Sequence, residues 1–197
     1  PCCLVGSEMC IRDRSIPEQK GLGGGSSDAA STLIGLSKFW NLNPSKDDLM
    51  EIALKLGSDV PFFMYGKTAW AKGRGEILTE YPYKERYFLI LFPDTKISTE
   101  YAFQEAEINL NSAITKENFT TNRAFNSFED WSRNTFSEID KAFTSLENIG
   151  IPRLSGTGST IFVEFSNLED AKSAQLKNTN LVLTKTLERS PLMQIIE

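Results

Sequence analysis

Three stretches of this 197-residue chain carry residue types at spacings that could do chemistry. The first is Gly21-Leu22-Gly23-Gly24-Gly25-Ser26-Ser27, running into Asp28-Ala29-Ala30. Four glycines in five positions leave a nearly bare backbone that can take positive φ and approach a ligand closely. Ala29, Ala30, Leu33, Ile34 and Leu36 then read as a buried helix. A glycine loop entering a helix leaves N–H groups unpaired, and the helix dipole adds about half a positive charge. Gly21 to Ser27 is therefore expected to hold the phosphates of a nucleotide. The second stretch is Leu56-Gly57-Ser58-Asp59-Val60-Pro61-Phe62-Phe63. Asp59 lies between a helix-ending glycine and an apolar run, where a carboxylate is partly desolvated and needs a partner. The same position also suits a cap on the next helical turn. The third is Leu154-Ser155-Gly156-Thr157-Gly158-Ser159-Thr160, feeding the apolar run that starts at Ile161. Such a turn can form a nest of N–H groups for an anion. Taken alone, a plain hairpin or loop turn accounts for it better.

Composition bounds what these stretches can do. The chain is 40% hydrophobic and 24% charged, an ordinary globular balance. A net charge of −5 without a basic cluster argues against nucleic-acid binding. No apolar run approaches the roughly 18 residues of a membrane span, and the expected location is the cytoplasm. With no histidine, a general base within the sequence must be a carboxylate, lysine or tyrosine. Cys2, Cys3 and Cys10 all fall at the start, so no disulfide framework is expected. Residues 1–14 show no sustained periodicity and resemble translated adapter sequence. They are set aside as a non-native leader.

The remaining pattern supplies the elements that must position this chemistry. Pro17 marks a turn before the glycine loop, and a first helix is expected over about 27–39, with Asp28 near its positive end. Ser45-Lys46-Asp47-Asp48 resembles a capping box, opening a second helix that stops at Gly57. Thr68–Lys72 and Glu76–Glu80 read as strands joined at Gly73-Arg74-Gly75. That hairpin reads as structural, and Lys72 and Arg74 are left outside the site. Tyr87–Phe92 fits a buried strand, and a domain boundary is placed after it, giving units 15–92 and 93–197. Ile97–Phe103 is a short helical candidate, and 105–122 a polar surface connection. Helices are expected over 124–133 and 136–148, the second with Phe136, Ile139, Phe143 and Leu146 as a core stripe. A helix at 168–177 and a strand at 181–187 complete a β–α–β pattern, which suits an α+β sandwich.

The glycine stretch is not a Walker A loop, because no Gly-Lys-Ser/Thr closes it. Nor is it a dinucleotide fingerprint, since Ser26 stands where the third glycine belongs. From Pro17 to Ala30 it resembles, residue by residue, the phosphate motif of the GHMP kinases. Leu56-Gly57-Ser58-Asp59-Val60-Pro61 resembles the motif carrying that family's catalytic aspartate, and Leu154–Thr160 resembles its third glycine motif. The resemblance implies a two-domain α+β fold, with an incomplete ribosomal-protein-S5-like N-terminal domain and a ferredoxin-like C-terminal α/β sandwich. It implies ATP bound by Gly21, Leu22, Gly23, Gly24, Gly25, Ser26 and Ser27, with Mg²⁺ touching Ser26 or Ser27. It implies Asp59 as catalytic base, and Thr99, Phe103, Gly156, Thr157 and Gly158 as substrate contacts. Phe103 would stack on a cytosine ring; the residue pattern alone equally allows a core aromatic. The motif forms are most similar to the members that phosphorylate the 2-hydroxyl of 4-diphosphocytidyl-2-C-methyl-D-erythritol in non-mevalonate isoprenoid synthesis. No nucleic-acid or membrane partner is implied, and a homodimer is left open.

One departure from the family pattern stands out. The family's first motif, with a lysine that pairs with the aspartate and a Tyr-His pair for cytosine, has no match here. The chain is therefore expected to be a truncated copy with little activity and an unpaired sheet edge. The rival readings are a GHMP kinase for mevalonate, homoserine or a sugar, a nucleotide-binding oxidoreductase, and a non-catalytic nucleotide-binding module. The oxidoreductase requires a strand directly before Gly21 and a ribose-binding acid, for which Asp47 or Asp48 lies at a plausible distance.

Overall fold

The computed structural model describes residues 16–108 and 126–196. The expected leader and most of the 105–122 connection lie outside the described residues. Helix α1 spans Gly24–Phe39 and begins inside the glycine run, earlier than expected, because Gly23 at φ 65° already serves as its N-cap. Helix α2 spans Lys46–Leu56. Its capping box is present: Ser45 Oγ accepts from the Asp48 N–H at 3.1 Å, and Asp48 Oδ2 accepts from the Ser45 N–H at 3.1 Å. The apolar run after Asp59 is helical too, as α3, Val60–Tyr65, with Pro61 in its first turn. These helices bury Ala30, Ile34, Ala53, Val60 and Met64 in one small cluster.

Strands β1, Ala69–Lys72, and β2, Ile77–Glu80, form the expected hairpin. Strand β3, Tyr87–Leu91, opens a second unit. Helices α4, Thr99–Glu105, α5, Glu129–Thr135, and α6, Ser137–Leu146, follow among the described residues. The unit closes with β4, Pro152–Leu154, β5, Ile161–Phe165, α7, Leu168–Lys177, and β6, Val182–Lys185. A last turn, α8, spans Met193–Ile196. The sheet order is β4-β5-β3-β6, antiparallel throughout. This β-α-β-β-α-β path with β3 and β5 central is the ferredoxin-like arrangement, and the α+β expectation holds. Its core joins Leu89, Ile139, Phe143, Leu146, Ile161 and Val163. Phe136 stands just outside α6 as its N-cap, so the core stripe is helical only from Ile139 onward.

Strand pairing corrects the expected domain division. A boundary after Phe92 would detach β3 from the centre of the sheet it shares with β5 and β6. The continuous apolar run marked a buried strand, but its residues alone did not reveal its neighbours. A division in residues 81–86 respects the pairing. The tail also crosses back. Arg189 bridges to Lys67, the Ser190 N–H donates to the Gly66 carbonyl at 2.9 Å, and Leu192 packs on the α1–α3 cluster.

Phe143 is fully buried at the middle of the larger core. Phe143→Ala is expected to cost about 3–5 kcal/mol, read as a lowered urea midpoint with an unchanged slope.

Candidate active site

A cleft of about 1470 Å³ lies between the two units. One side comes from Pro17–Ser26, Ser58–Asp59 and the Gly73–Arg74 turn; the other from Thr99, Phe103, Asn126–Phe128 and Arg153–Thr157. On the first side, α1 starts without a side-chain cap and without an acidic residue in its first turn. Its first N–H groups are thus left for an anion. A methyl group on Gly25 would meet nothing within 4 Å, so the loop leaves room for a ligand there.

The two glycine loops are joined backbone to backbone. A methyl group on Gly21, at φ 72°, would lie 2.1 Å from the Ser155 carbonyl oxygen. One on Gly156 would lie 2.9 Å from the Gly21 carbonyl oxygen. In that close approach, Ser155 Oγ donates to the Gly21 carbonyl at 2.8 Å, and the Thr160 N–H donates to the Lys20 carbonyl at 3.2 Å. Lys20 secures the junction from inside. It is buried, and its ammonium donates to the carbonyls of Pro93 and Thr95. Burial pushes that ammonium below the usual lysine range, with Asp94 opposing, Lys96 adding and Glu138 opposing. Asn126 holds the other loop, its amide donating to the carbonyls of Leu154 at 2.9 Å and Gly156 at 2.8 Å.

Asp59 stands at the N-cap position of α3 but makes no side-chain cap bond. It is exposed, so the expected desolvation is absent among the described residues. Phe103 is 61% exposed at the cleft and packs edge-on against Phe128 at 4.9 Å. It is therefore no core aromatic and remains available to stack on a ring. Gly21 to Ser26, Asp59, Thr99, Phe103, Gly156 and Thr157 all line the cleft. Ser27 does not line it; its N–H is used within α1, donating to the Gly23 carbonyl at 2.9 Å. Gly158 also lies off the cleft wall, facing the side chains of Ile97 and Leu154. Ser159, beside it, is fully buried and donates to the Thr95 carbonyl.

Sequence reasoning missed Lys20, Arg74, Asn126 and Arg153. An isolated lysine before a glycine run, or an Asx turn before a helix, is a local pattern without a unique partner. The residues before Gly21 are turns rather than a strand, Asp47 lies in α2, and Asp48 is engaged with Ser45, so the oxidoreductase reading loses its requirements. Among the described residues no group of three His, Cys, Asp or Glu could hold a metal, and no helix is long and apolar enough to cross a membrane.

Residues 6–67 match the family description GHMP kinases N terminal domain. A 4-diphosphocytidyl-2-C-methyl-D-erythritol kinase of Xanthomonas campestris pv. campestris (strain B100) is 35% identical over 198 residues, covering 98% of this chain and 67% of the relative. The chain belongs to the GHMP kinase family. A protein of the same name from Histophilus somni (strain 2336) is 38% identical over 200 residues, covering 99% of this chain. The chain spans 63% of that relative's length, a little under two thirds. Among solved structures, a 4-(cytidine 5'-diphospho)-2C-methyl-D-erythritol kinase superposes with a TM-score of 0.69 at 27% identity, covering 88% of this chain and 68% of the other. A homoserine kinase from Cytophaga hutchinsonii shares the fold, with a TM-score of 0.56 at 14% identity over 90% of this chain and 69% of the other. In this member of the GHMP kinase family the glycine loop, the Asp59 turn and the second glycine loop thus line one cleft.

Two tests follow from this geometry. Gly21→Ala forces a carbon into the Ser155 carbonyl at a left-handed φ, and should cost about 2–4 kcal/mol and weaken nucleotide binding. Calorimetric melting with and without ATP reads both effects. Glu129 accepts from the Leu154 N–H at 3.3 Å at the base of the second loop. Burial holds its carboxyl above the usual range, against the Leu154 hydrogen bond, Arg133 and Arg153, with Asp130 adding. A raised carboxyl binds its proton more tightly in the folded state, so its contribution is present at acid pH and lost as pH rises through the folded value. Glu129→Gln keeps an acceptor without the charge. Its stability relative to the parent should rise between about pH 4 and about pH 7. Urea midpoints at both values check the sign.

Proposed function

We propose that this protein transfers the γ-phosphoryl group of ATP to the 2-hydroxyl of 4-diphosphocytidyl-2-C-methyl-D-erythritol, in the cytoplasm and in non-mevalonate isoprenoid synthesis. The observation that carries the reading is the uncapped start of α1 sharing one cleft with an exposed, non-capping Asp59. Phosphoryl transfer asks a protein chiefly for positioning and charge neutralisation. The N–H groups of Gly23 to Ser26 would bind the donor phosphates. The acceptor oxygen forms a bond to the γ-phosphorus as its proton passes to Asp59. The bond from that phosphorus to the β–γ bridging oxygen breaks, and ADP leaves with the electron pair. Thr99 and Phe103 would hold the acceptor's cytidine end, with Gly156 and Thr157 closing over the diphosphate. Mg²⁺ suits a site of this kind, because it is bound chiefly by substrate phosphates and waters with one or two protein oxygens. Ser26 would offer one such oxygen at the cleft, and the ion would neutralise phosphate charge.

The names of the relatives support the cytidyl acceptor over mevalonate, homoserine or a sugar. The test is ADP release with Mg²⁺ and ATP, with each acceptor in turn. The chain is assayed as it stands and with a family-like lysine-bearing segment joined ahead of Ser15. Release dependent on 4-diphosphocytidyl-2-C-methyl-D-erythritol is expected, and Asp59→Asn should lower it by about 10²–10⁴-fold. Equal release by the variant would remove Asp59 from the chemistry, and release with another acceptor would reassign the substrate.

A further inference from the structure

Arg74 occupies the turn between β1 and β2, in a loop closed by the pairing of Lys72 with Ile77. The turn is built without its guanidinium. Gly73 and Gly75 flank it at φ 70° and 111°, and its own backbone N–H donates to Glu76 Oε2 at 2.6 Å. The side chain is exposed, and the Glu76 carboxylate beside it is held below the usual carboxylate range by the Glu76 and Arg74 backbone N–H groups and, less strongly, by the Arg74 charge.

The turn is seated against the candidate base. A methyl group on Gly75 would lie 3.3 Å from the Ser58 carbonyl oxygen and 3.9 Å from Asp59 Oδ1. Arg74 lines the same cleft as Asp59 and Gly23–Ser26, on the turn that is seated beside Asp59. The cleft's other cations are placed differently. The Lys20 ammonium is committed to two carbonyls, and Arg153 comes from the opposite unit, paired in register with Phe162. A phosphoryl group brought beside Asp59 meets a like charge, and a guanidinium fork matched to phosphate oxygens relieves it.

We propose that Arg74 contacts the terminal phosphoryl oxygens of the bound nucleotide, so that the cleft distinguishes a nucleoside triphosphate from a diphosphate. The inference rests on the kinase reading of the cleft. It gives the hairpin turn a part in binding beyond its structural one.

Titration calorimetry of the 197-residue chain with ATP and with ADP, each in excess Mg²⁺, tests it. Arg74→Ala should weaken ATP by about tenfold or more and ADP by less than about twofold, since only the terminal group loses a charge-assisted bond. Arg74→Lys should recover part of the ATP affinity, because it restores the charge without the fork. Lys72→Ala, on the adjoining strand and outside the cleft, should change neither and so exclude a general charge effect. Circular dichroism and melting of Arg74→Ala should match the parent. An unchanged ratio of ATP to ADP affinity in Arg74→Ala overturns the inference while leaving the kinase reading intact. A parent chain that binds neither nucleotide overturns the kinase reading, and the inference with it.

Discussion

Any side chain at Gly21 would place a carbon 2.1 Å from the Ser155 carbonyl oxygen. The two glycine loops therefore meet backbone against backbone, and the Ser155 hydroxyl closes the contact on the Gly21 carbonyl. The contact fixes where α1 begins relative to β4 and β5. Lys20 reinforces it at a cost. A buried ammonium is unfavourable unless its protons find acceptors, and here the carbonyls of Pro93 and Thr95 supply them. Both carbonyls follow β3, one of the two central strands of the larger sheet. The first glycine loop is thereby tied to the sheet of the other unit, a firmer anchor than a surface loop would give.

A second tie runs along a different path. Thr186 Oγ1 accepts from the Arg86 N–H at 2.9 Å, and beyond it the tail returns to Gly66 and the helical cluster. Met193 lies over Gly66, where a methyl group would sit 2.4 Å from its sulfur. The small cluster of α1–α3 buries few large side chains, so contacts such as Leu192 contribute visibly to its closure. Among the described residues the units are thus held at the glycine loops and at the tail. Motion between them would strain both.

What could be read from the sequence follows from how local each signal is. The Ser45–Asp48 capping box, the β1–β2 hairpin and α7 are specified within a few residues, and they appear where expected. The glycine motif was legible for the same reason, and the comparisons support the family it suggested. The start of α1 was misjudged by three residues because glycine is a poor helix former, yet a left-handed Gly23 makes a sound cap. The partners of β3 were not legible, since a continuous apolar run signals burial on both faces and nothing about neighbours. Phe103 could not be resolved between core and surface, because an aromatic in a short helix suits either. Arg74 was passed over because its turn is well explained by Gly73, Gly75 and Glu76 alone. Only the seating of that turn beside Asp59 gives the side chain a context.

The helix caps show where local stability has been given up. Helices α2, α4 and α7 each begin with a side-chain cap, from Ser45, Ser98 and Asn167. Helices α5 and α6 begin at Phe128 and Phe136, whose side chains have no oxygen to offer. The two helices that start at the cleft differ from both groups. α1 opens from a bare glycine, and α3 opens from an aspartate, a strong capping residue type, whose carboxylate makes no cap bond. Forgoing the side-chain cap costs about 1 kcal/mol at α3, and roughly a few tenths of that at α1, where glycine is itself a tolerable cap. At α1 the result is a set of unpaired N–H groups, and at α3 a carboxylate left free. Among the described residues, one end of the cleft thus presents donors without a side-chain cap, and the other a carboxylate that makes no cap bond. A chain stabilised by filling either would lose the complementarity to the anionic donor and hydroxyl acceptor that we propose for the cleft.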